Sequence, residues 1–412
     1  MVAKKKPAAR GAQQTPKKGT LRLLQSNEVK RGTHGKRPGY TPADQKDDPQ
    51  PPRGREKLEI TGEQLKELTP SKLYPKLCSM GHVPDLKDNK CLGCGEKSLG
   101  QKVTGTLPTV LAGTRSPYKR CTKANCNIHC HVLYGHPVFV MGRGQDTLSL
   151  SKQARLLWHA AWGTKPRLVR ADMGVSLKCF GKFATRWRAV LKKWVLRKQK
   201  DIQVGGDYKQ IEADEAVFRK KDLPKKEVEW TEYVGVKERG NRKSLVLVKR
   251  KAADSKSKRA APVRRGKKGR ACPPPLKKEE WQKVAKKHVK DKTILHTDAA
   301  AAYAAKVPNK EIRRDTVIHG NKNGGPYYTK KAVHRKLTGQ AKGKNKKATM
   351  AGTQSLDGWW GDPKKNLRGV RADHGQRVDE RVRESQWLHW LGSDDPFKAA
   401  GQVLKEVRDL QL

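Results

Sequence analysis

The chain has 412 residues and carries 92 lysines and arginines against 40 aspartates and glutamates, a formal net charge of +52. Such an excess repels itself in a compact fold unless a polyanion offsets it, which makes nucleic acid the expected partner. No long apolar span and no basic amphipathic helix with a clean lipid face is present, so no membrane association is expected.

Residues 1–55 are rich in Lys, Pro, Gly and Gln without apolar periodicity and read as a disordered basic tail. A solubilising arm, nuclear import and non-specific DNA contact all fit such a tail, and the sequence leaves them open. Its first residues, MVAKKKPAARG, lack the apolar stretch of a secretory leader.

Residues 56–140 are expected to be a zinc-binding module, entered by one short helix within 56–77. The cysteines cluster between 78 and 130, which argues for metal binding in a reducing compartment rather than a disulfide framework. Cys91-Leu-Gly-Cys94 is a tight knuckle that brings two thiolates onto one metal. The other half comes from Cys121, Cys126 and Cys130, with His129 and His131 interleaved, while Cys78 and His82 offer a third pair. One structural Zn²⁺ on Cys91, Cys94, Cys121 and Cys126 is predicted, with Cys130 as the substitute. A redox role is disfavoured because no thioredoxin-like strand–helix context surrounds the CxxC. Cys179 reads as a packed helix residue and Cys272 as a loop residue.

Residues 145–200 read as a helix-turn-helix. Ser149 and Ser151 are candidate N-caps for SKQARLLWHAAW, which Gly163 would end; KPRLVRADMG follows, closed by Gly174. Ser176 could cap a third helix, whose Phe180, Phe183, Trp187, Val190, Leu191 and Trp194 recur at spacings of three and four. Its other face carries Lys178, Lys182, Arg186, Lys192 and Lys193. Placed in a major groove, Arg186 and Arg188 suit base edges, and Lys182, Lys192 and Lys193 suit phosphates.

Residues 205–395 switch to an α/β pattern. QIEADEAVF, TEYVGVKERG and KSLVLVKRK read as strands, followed by a basic insertion at 250–273. Then come a helix (LKKEEWQKVAKKHV), a strand (TILHTD), an alanine-rich helix (AAAAYAAKV) and a strand (RRDTVIHG). Residues 320–350 read as a loop, 353 onward as mainly helical, and 396–412 as a C-terminal helix. Three strands, a helix, then alternating strand and helix is the element order of a ribonuclease-H-like α/β domain.

Three acids stand in order within that pattern: Asp214 in the first strand, Asp298 closing TILHTD, and Asp357 where TQSLDGWWGDPKKNL enters a helix. Each alone reads equally as a structural strand-end or N-terminal aspartate. Together, carboxylates from strand ends and a following helix are what two divalent metals need to be held against a phosphodiester. On these residues, 208–390 resembles the catalytic domain of DDE transposases of the Merlin and ISXO insertion-sequence type. QIEADEAVF is similar to that family's first-acid motif, and TILHTDAAAAY, with Asp298 and Tyr303, to the second. TVIHG, with His319, is similar to the segment between the second and third acids. TQSLDGWWGDPKKNL is similar to the third motif, and RVRESQWLHW, with Glu384 and Trp387, to the closing helix. The likeness spans roughly 78–395, because the family places a zinc module and a helix-turn-helix upstream.

The resemblance implies a DNA transposase that binds terminal repeats and target DNA as a homo-oligomer in a synaptic complex. Asp214, Asp298 and Asp357 would hold two Mg²⁺ or Mn²⁺ ions. His319 and Gln354 would assist the chemistry, and Lys364 and Lys365 would meet phosphates, whereas Trp359 and Trp360 read as core packing. Such a protein works in the nucleus of a eukaryote, or otherwise in the cytoplasm or nucleoid. The chain departs from the pattern at Asp357, where the family has Glu, at Gln354, where it has Asn, and at Ala299-Ala300, where it has a Gly-aromatic pair. These departures would also fit a domesticated, catalytically inactive DNA-binding descendant. A basic structural RNA-binding protein of ribosomal type would explain the tail, knuckle and charge, but not the ordered acids.

Overall fold

The computed structural model describes residues 58–85, 90–100 except 92, 118–140 except 132 and 134, 148–222, 228–250, 275–316 except 299, 331–334, 347–350, 352–367 and 375–410. All belong to the unit Asp44–Leu412. The basic tail up to residue 55, nearly all of the basic insertion, Cys272 and His319 lie outside the described residues.

The entry segment forms two helices rather than one, α1 (Gly62–Glu67) and α2 (Pro70–Ser79). Thr61 and Gln64 form a capping box on α1, and Pro70, which lacks the N–H a helix start cannot use, opens α2. A short hairpin follows, β1 (Tyr118–Arg120) paired with β2 (His129–His131). Three consecutive helices come next: α3 (Leu150–Ala161), α4 (Pro166–Met173) and α5 (Leu177–Lys198). Their ends sit where the sequence signals them. The Ser149 hydroxyl accepts from the Lys152 N–H and Ser176 from Cys179 N–H, while Gly163 and Gly174 take φ of 64° and 66°. Ser151 caps nothing; its hydroxyl donates to the Leu65 carbonyl and ties α3 to α1.

Strands β3 (Gln210–Asp222), β4 (Val228–Glu238) and β5 (Val246–Lys249) precede α6 (Lys278–His288), β6 (Thr293–Thr297) and β7 (Ile312–Thr316). They form one mixed sheet in the order β5-β4-β3-β6-β7, antiparallel among β3, β4 and β5 and parallel from β3 through β6 to β7. The alanine-rich segment is not an α-helix but a single 3₁₀ turn, Ala301–Ala304. The Asp298 carboxylate takes the Ala300 N–H at its start, and Pro308 disfavours a helical Val307 at its end. The expected loop at 320–350 contains a second short hairpin, β8 (Lys331–His334) with β9 (Lys347–Met350). Helices α7 (Gln354–Asn366), α8 (Gly375–Leu391) and α9 (Pro396–Asp409) complete the chain.

Alternation along β3 divides the interior. Ile211 and Ala213 pack with Val234, Val236 and Leu295 against Trp281, Val284 and Ala285 of α6. Ala216, with Tyr233 and Leu247, faces Leu356 and Trp360 of α7, Val382 and Trp387 of α8, and Trp187 of α5. Helices therefore cover both faces, an α/β architecture. The second core also takes in Leu65, Leu77, Leu156, Leu157 and Phe397, so α1 to α5 and α9 share it with the sheet. Among the described residues no helix is long and apolar enough to cross a membrane.

Candidate functional site

Among the described residues two clusters of ligand-type side chains form. In the first, the Cys91–Cys94 knuckle meets Cys121, at the end of β1, and Cys126, in the turn before β2. Sγ–Sγ separations are 3.6 Å for Cys91–Cys126 and 3.9 Å for Cys94–Cys121. A tetrahedron with Zn–S bonds of about 2.3 Å has edges of about 3.8 Å, so this four-cysteine cluster could hold a metal such as zinc. The fifth thiol, Cys130, is buried 3.4 Å from Cys91. Burial opposes ionisation of Cys91, yet the N–H groups of Cys94 and Gly93 and the thiols of Cys130 and Cys126 bring it down to about 6. Burial and the Cys91 sulfur push Cys126 up to about 12. The Ser98 hydroxyl lies 2.9 Å from Cys121 and 3.5 Å from Cys94, an outer contact of the kind that orients metal-binding thiolates. The other candidates are used in packing. The Cys78 thiol donates to the Pro84 carbonyl, and His82 stacks on Phe397 with burial driving it down to about 3. His129 is exposed, and His131 lies buried beside Tyr118.

The second cluster is acidic. In the parallel pairing of β3 with β6, Glu212 stands opposite His296. Two residues further, Asp214 and Asp298 come level where β6 ends. Carboxylate oxygens of Asp214, Asp298 and the unexpected Glu215 lie within 4.8 Å of one another. Asp298 is pinned from both sides. Its Oδ1 accepts the Ala300 N–H at 2.9 Å, and Arg314 donates to its carbonyl at 2.8 Å and to that of Ala300 at 3.0 Å.

Asp357 arrives from the first turn of α7, its Oδ2 accepting the Thr353 hydroxyl at 3.0 Å. The Thr353 side chain does not cap the helix; Glu212 substitutes, accepting the Leu356 N–H at 2.8 Å and the Arg239 Nε–H at 2.8 Å. Arg239 also donates to Gln210 and to the Gly352 carbonyl, at 2.9 and 2.7 Å. This network sets α7 on β3 and brings Asp357 against Asp214. Trp360, one turn along α7, donates its indole N–H to Asp214 Oδ2 at 2.9 Å. Gly235, paired with Asp214 across the sheet, makes room for it: a Cβ there would stand 2.7 Å from the indole ring. Trp360 thus packs as expected and also orients an acid.

Burial, reinforced by Asp357, pushes Asp214 up to about 8, although the Trp360 bond opposes this. Burial and then the charge of Asp298 raise Glu215 to about 7. Strand alternation puts Glu215 on the face opposite Asp214, which is why residue pattern alone passed over it. Asp298, standing beyond the end of its strand, is within reach of both.

The remaining expected residues divide. Gln354 and Asp357 share the first turn of α7, and Gln354 is exposed. Lys364 and Lys365 are exposed further along the same helix, Lys364 two turns from Asp357 on the same face. Lys182 and Lys193 are exposed on α5. Arg188 and Lys192 correct the expectation of an outward DNA-reading face: Arg188 pairs with Glu384 at 3.1 Å and Lys192 with Asp379 at 2.6 Å, both on α8. The half-buried Arg186 lies over the Phe183 ring at 5.7 Å. The cause is packing: Trp187 stacks edge-on against Trp387 at 5.6 Å, turning that side of α5 inward.

No protein-family model and no curated protein matches the chain.

Two outcomes follow from this geometry. Elemental analysis of the purified protein should find one zinc per chain, retained in Cys130→Ser and lost in Cys94→Ser; retention in Cys94→Ser would disprove the four-cysteine site. The acids predict a pH effect. Folding raises Asp214 and Glu215 above their unfolded values of 3.8 and 4.5, so metal-free stability from them is full below about pH 4 and lost toward pH 8. Asp214→Asn should therefore raise the metal-free melting temperature by several degrees at pH 8 and by much less at pH 5. Equal shifts at both pH values would contradict the acid cluster.

Proposed function

We propose that this chain is a DDE-type DNA transposase, resembling the Merlin and ISXO group, that cleaves and transfers DNA strands with Mg²⁺ or Mn²⁺ at Asp214, Asp298 and Asp357. One observation carries this: Asp214 of β3 meets Asp298 where β6 ends and also meets Asp357 of α7. The sheet order β5-β4-β3-β6-β7, with three antiparallel strands followed by two parallel ones, supports a ribonuclease-H-like domain.

The donor set fits hard divalent cations, since carboxylate oxygens of Asp214 and Asp298 lie within 4.8 Å of each other and Asp357 stands against Asp214. When bound, such ions supply Lewis-acid stabilisation of the phosphodiester and lower the pKa of attacking water. The protein's part is positioning. Trp360 fixes the rotation of Asp214, Thr353 that of Asp357 and the Ala300 N–H that of Asp298, whose backbone carbonyl Arg314 holds. The shorter acid at 357 is accommodated because Glu212 draws the first turn of α7 onto β3.

DNA, supplied as terminal repeats and target, is the polyanion that fits a chain of net charge +52. Lys364 and Lys365, beyond Asp357 on α7, suit the strand being cut, and Lys182 and Lys193 on α5 suit flanking phosphates. Helices α3 to α5 would act as the helix-turn-helix only through the exposed side of α5, since Arg188 and Lys192 are paired with α8, and a homo-oligomer would bring two element ends together. In a eukaryotic host the protein would act in the nucleus.

The test is nicking of a labelled DNA that carries the element's own ends. Wild type should cut only with Mg²⁺ or Mn²⁺, and Asp298→Asn should lose at least about 100-fold in rate while binding the DNA unchanged. Binding without cleavage by wild type would leave a DNA-binding descendant and end the enzymatic proposal.

A further inference from the structure

Glu215 approaches Asp298 and Asp214 from the face of β3 opposite α7. Its strand neighbours on that face, Ile211 and Ala213, are fully buried against α6. Here a carboxylate meets a second carboxylate in a largely apolar setting. Among the described residues Glu215 forms no ion pair. The nearby cations are committed elsewhere, Arg250 to Glu232 and Glu280 and Arg314 to the carbonyls of Asp298 and Ala300.

A second observation points to the same place from outside the acids. Tyr303 is only 2% exposed, packed edge-on against Trp281 at 4.9 Å, and its hydroxyl faces Glu215, Asp214 and Asp298. That hydroxyl lies within reach of the Glu215 carboxylate yet completes no hydrogen bond of good geometry to it. A buried donor aimed at clustered acids, with its hydrogen bond not completed, fits an outer contact to an ion-ligating carboxylate.

Accepting the proposed two-metal site, we infer that Glu215 is a fourth carboxylate ligand, and that Asp214, Glu215 and Asp298 form the cation site that fills in the absence of DNA. Tyr303 is its positioning residue, holding one Glu215 oxygen so that the other faces the cation. Asp357, arriving through α7 on the opposite face, is not needed for this first ion. The two faces of β3 thus deliver one acid each to the Asp214–Asp298 pair, Asp357 from one side and Glu215 from the other.

The experiment is a Mn²⁺ titration of the full-length, zinc-replete chain without DNA, following the free-ion signal by electron paramagnetic resonance. Wild type should bind Mn²⁺. Glu215→Gln and Asp298→Asn should each weaken the tightest binding by at least about 10-fold, and Tyr303→Phe by about 10-fold, whereas Asp357→Asn should not weaken it, because removing that charge eases ionisation of Asp214. Glu215→Gln is isosteric and relieves repulsion from Asp298, so a metal-free melt at or above wild type will show that it folds. Wild-type affinity in Glu215→Gln, with binding lost in Asp298→Asn, would overturn the inference and leave the three-acid site standing. Wild-type affinity in Tyr303→Phe would remove the tyrosine from it. Equal loss in Asp357→Asn would overturn the division between the two faces. Absence of Mn²⁺ binding by wild type would refute a site that fills without DNA, and the nicking assay would then judge the transposase proposal separately.

Discussion

Glu212 is a buried carboxylate whose two oxygens do different work. One accepts the N–H of Leu356 at the start of α7, and the other takes the guanidinium of Arg239. A helix start needs acceptors for its free N–H groups and favours negative charge, and Thr353 does not provide the side-chain cap. By meeting that need from the neighbouring strand, Glu212 fixes where α7 sits. Asp357 and Trp360 are both carried by that helix and both close on Asp214. Arg239 keeps the capping acid from being an uncompensated buried charge and also grips the Gly352 carbonyl just ahead of the helix. The meeting of the acids depends on this one clamp more than on any property of the acids themselves.

A second set of buried polar contacts binds the helical layer to the sheet. Tyr233 of β4 donates to Asp379, which also pairs with Lys192 of α5, while Arg188 of α5 pairs with Glu384. Removing one partner from such buried pairs typically costs about 3–5 kcal/mol because the other is left without compensation. Helix α5 is therefore part of the scaffold of the sheet. The charges it can offer to a polyanion are those at its outer side, such as Lys182 and Lys193.

Much of this was legible in the residues, and the failures have definite causes. Helix ends were readable because Ser149, Ser176, Gly163 and Gly174 act locally. The five strands of the sheet were readable from their apolar patterning, and the four-cysteine set from the Cys91–Cys94 knuckle and the clustering of Cys121, Cys126 and Cys130 after it. The alanine-rich segment misled because propensity was weighed without Asp298 and Pro308 at its two ends. Arg188 and Lys192 misled because a basic helix looks the same whether its charges meet solvent or acids distant in sequence. Glu215 was hidden by strand alternation, which holds along β3 but not for Asp298 beyond the end of β6. The roles of Glu212, Arg239 and Gly235 are purely tertiary and leave no local mark.

Like charges forced together are the physical signature of this site. In an overwhelmingly basic chain, the half-buried Asp214 is nonetheless packed against Glu215, Asp298 and the exposed Asp357, and its proton affinity is raised first through burial and then through Asp357. The most direct measurement is the ionisation of the Asp214 carboxyl in the metal-free protein, followed by carbon NMR in wild type and in Asp357→Asn. The meeting of α7 with β3 predicts a midpoint pushed up to about 8 in wild type, falling when Asp357 is neutralised. An ordinary aspartate midpoint in wild type, unchanged by Asp357→Asn, would mean that the acids do not meet.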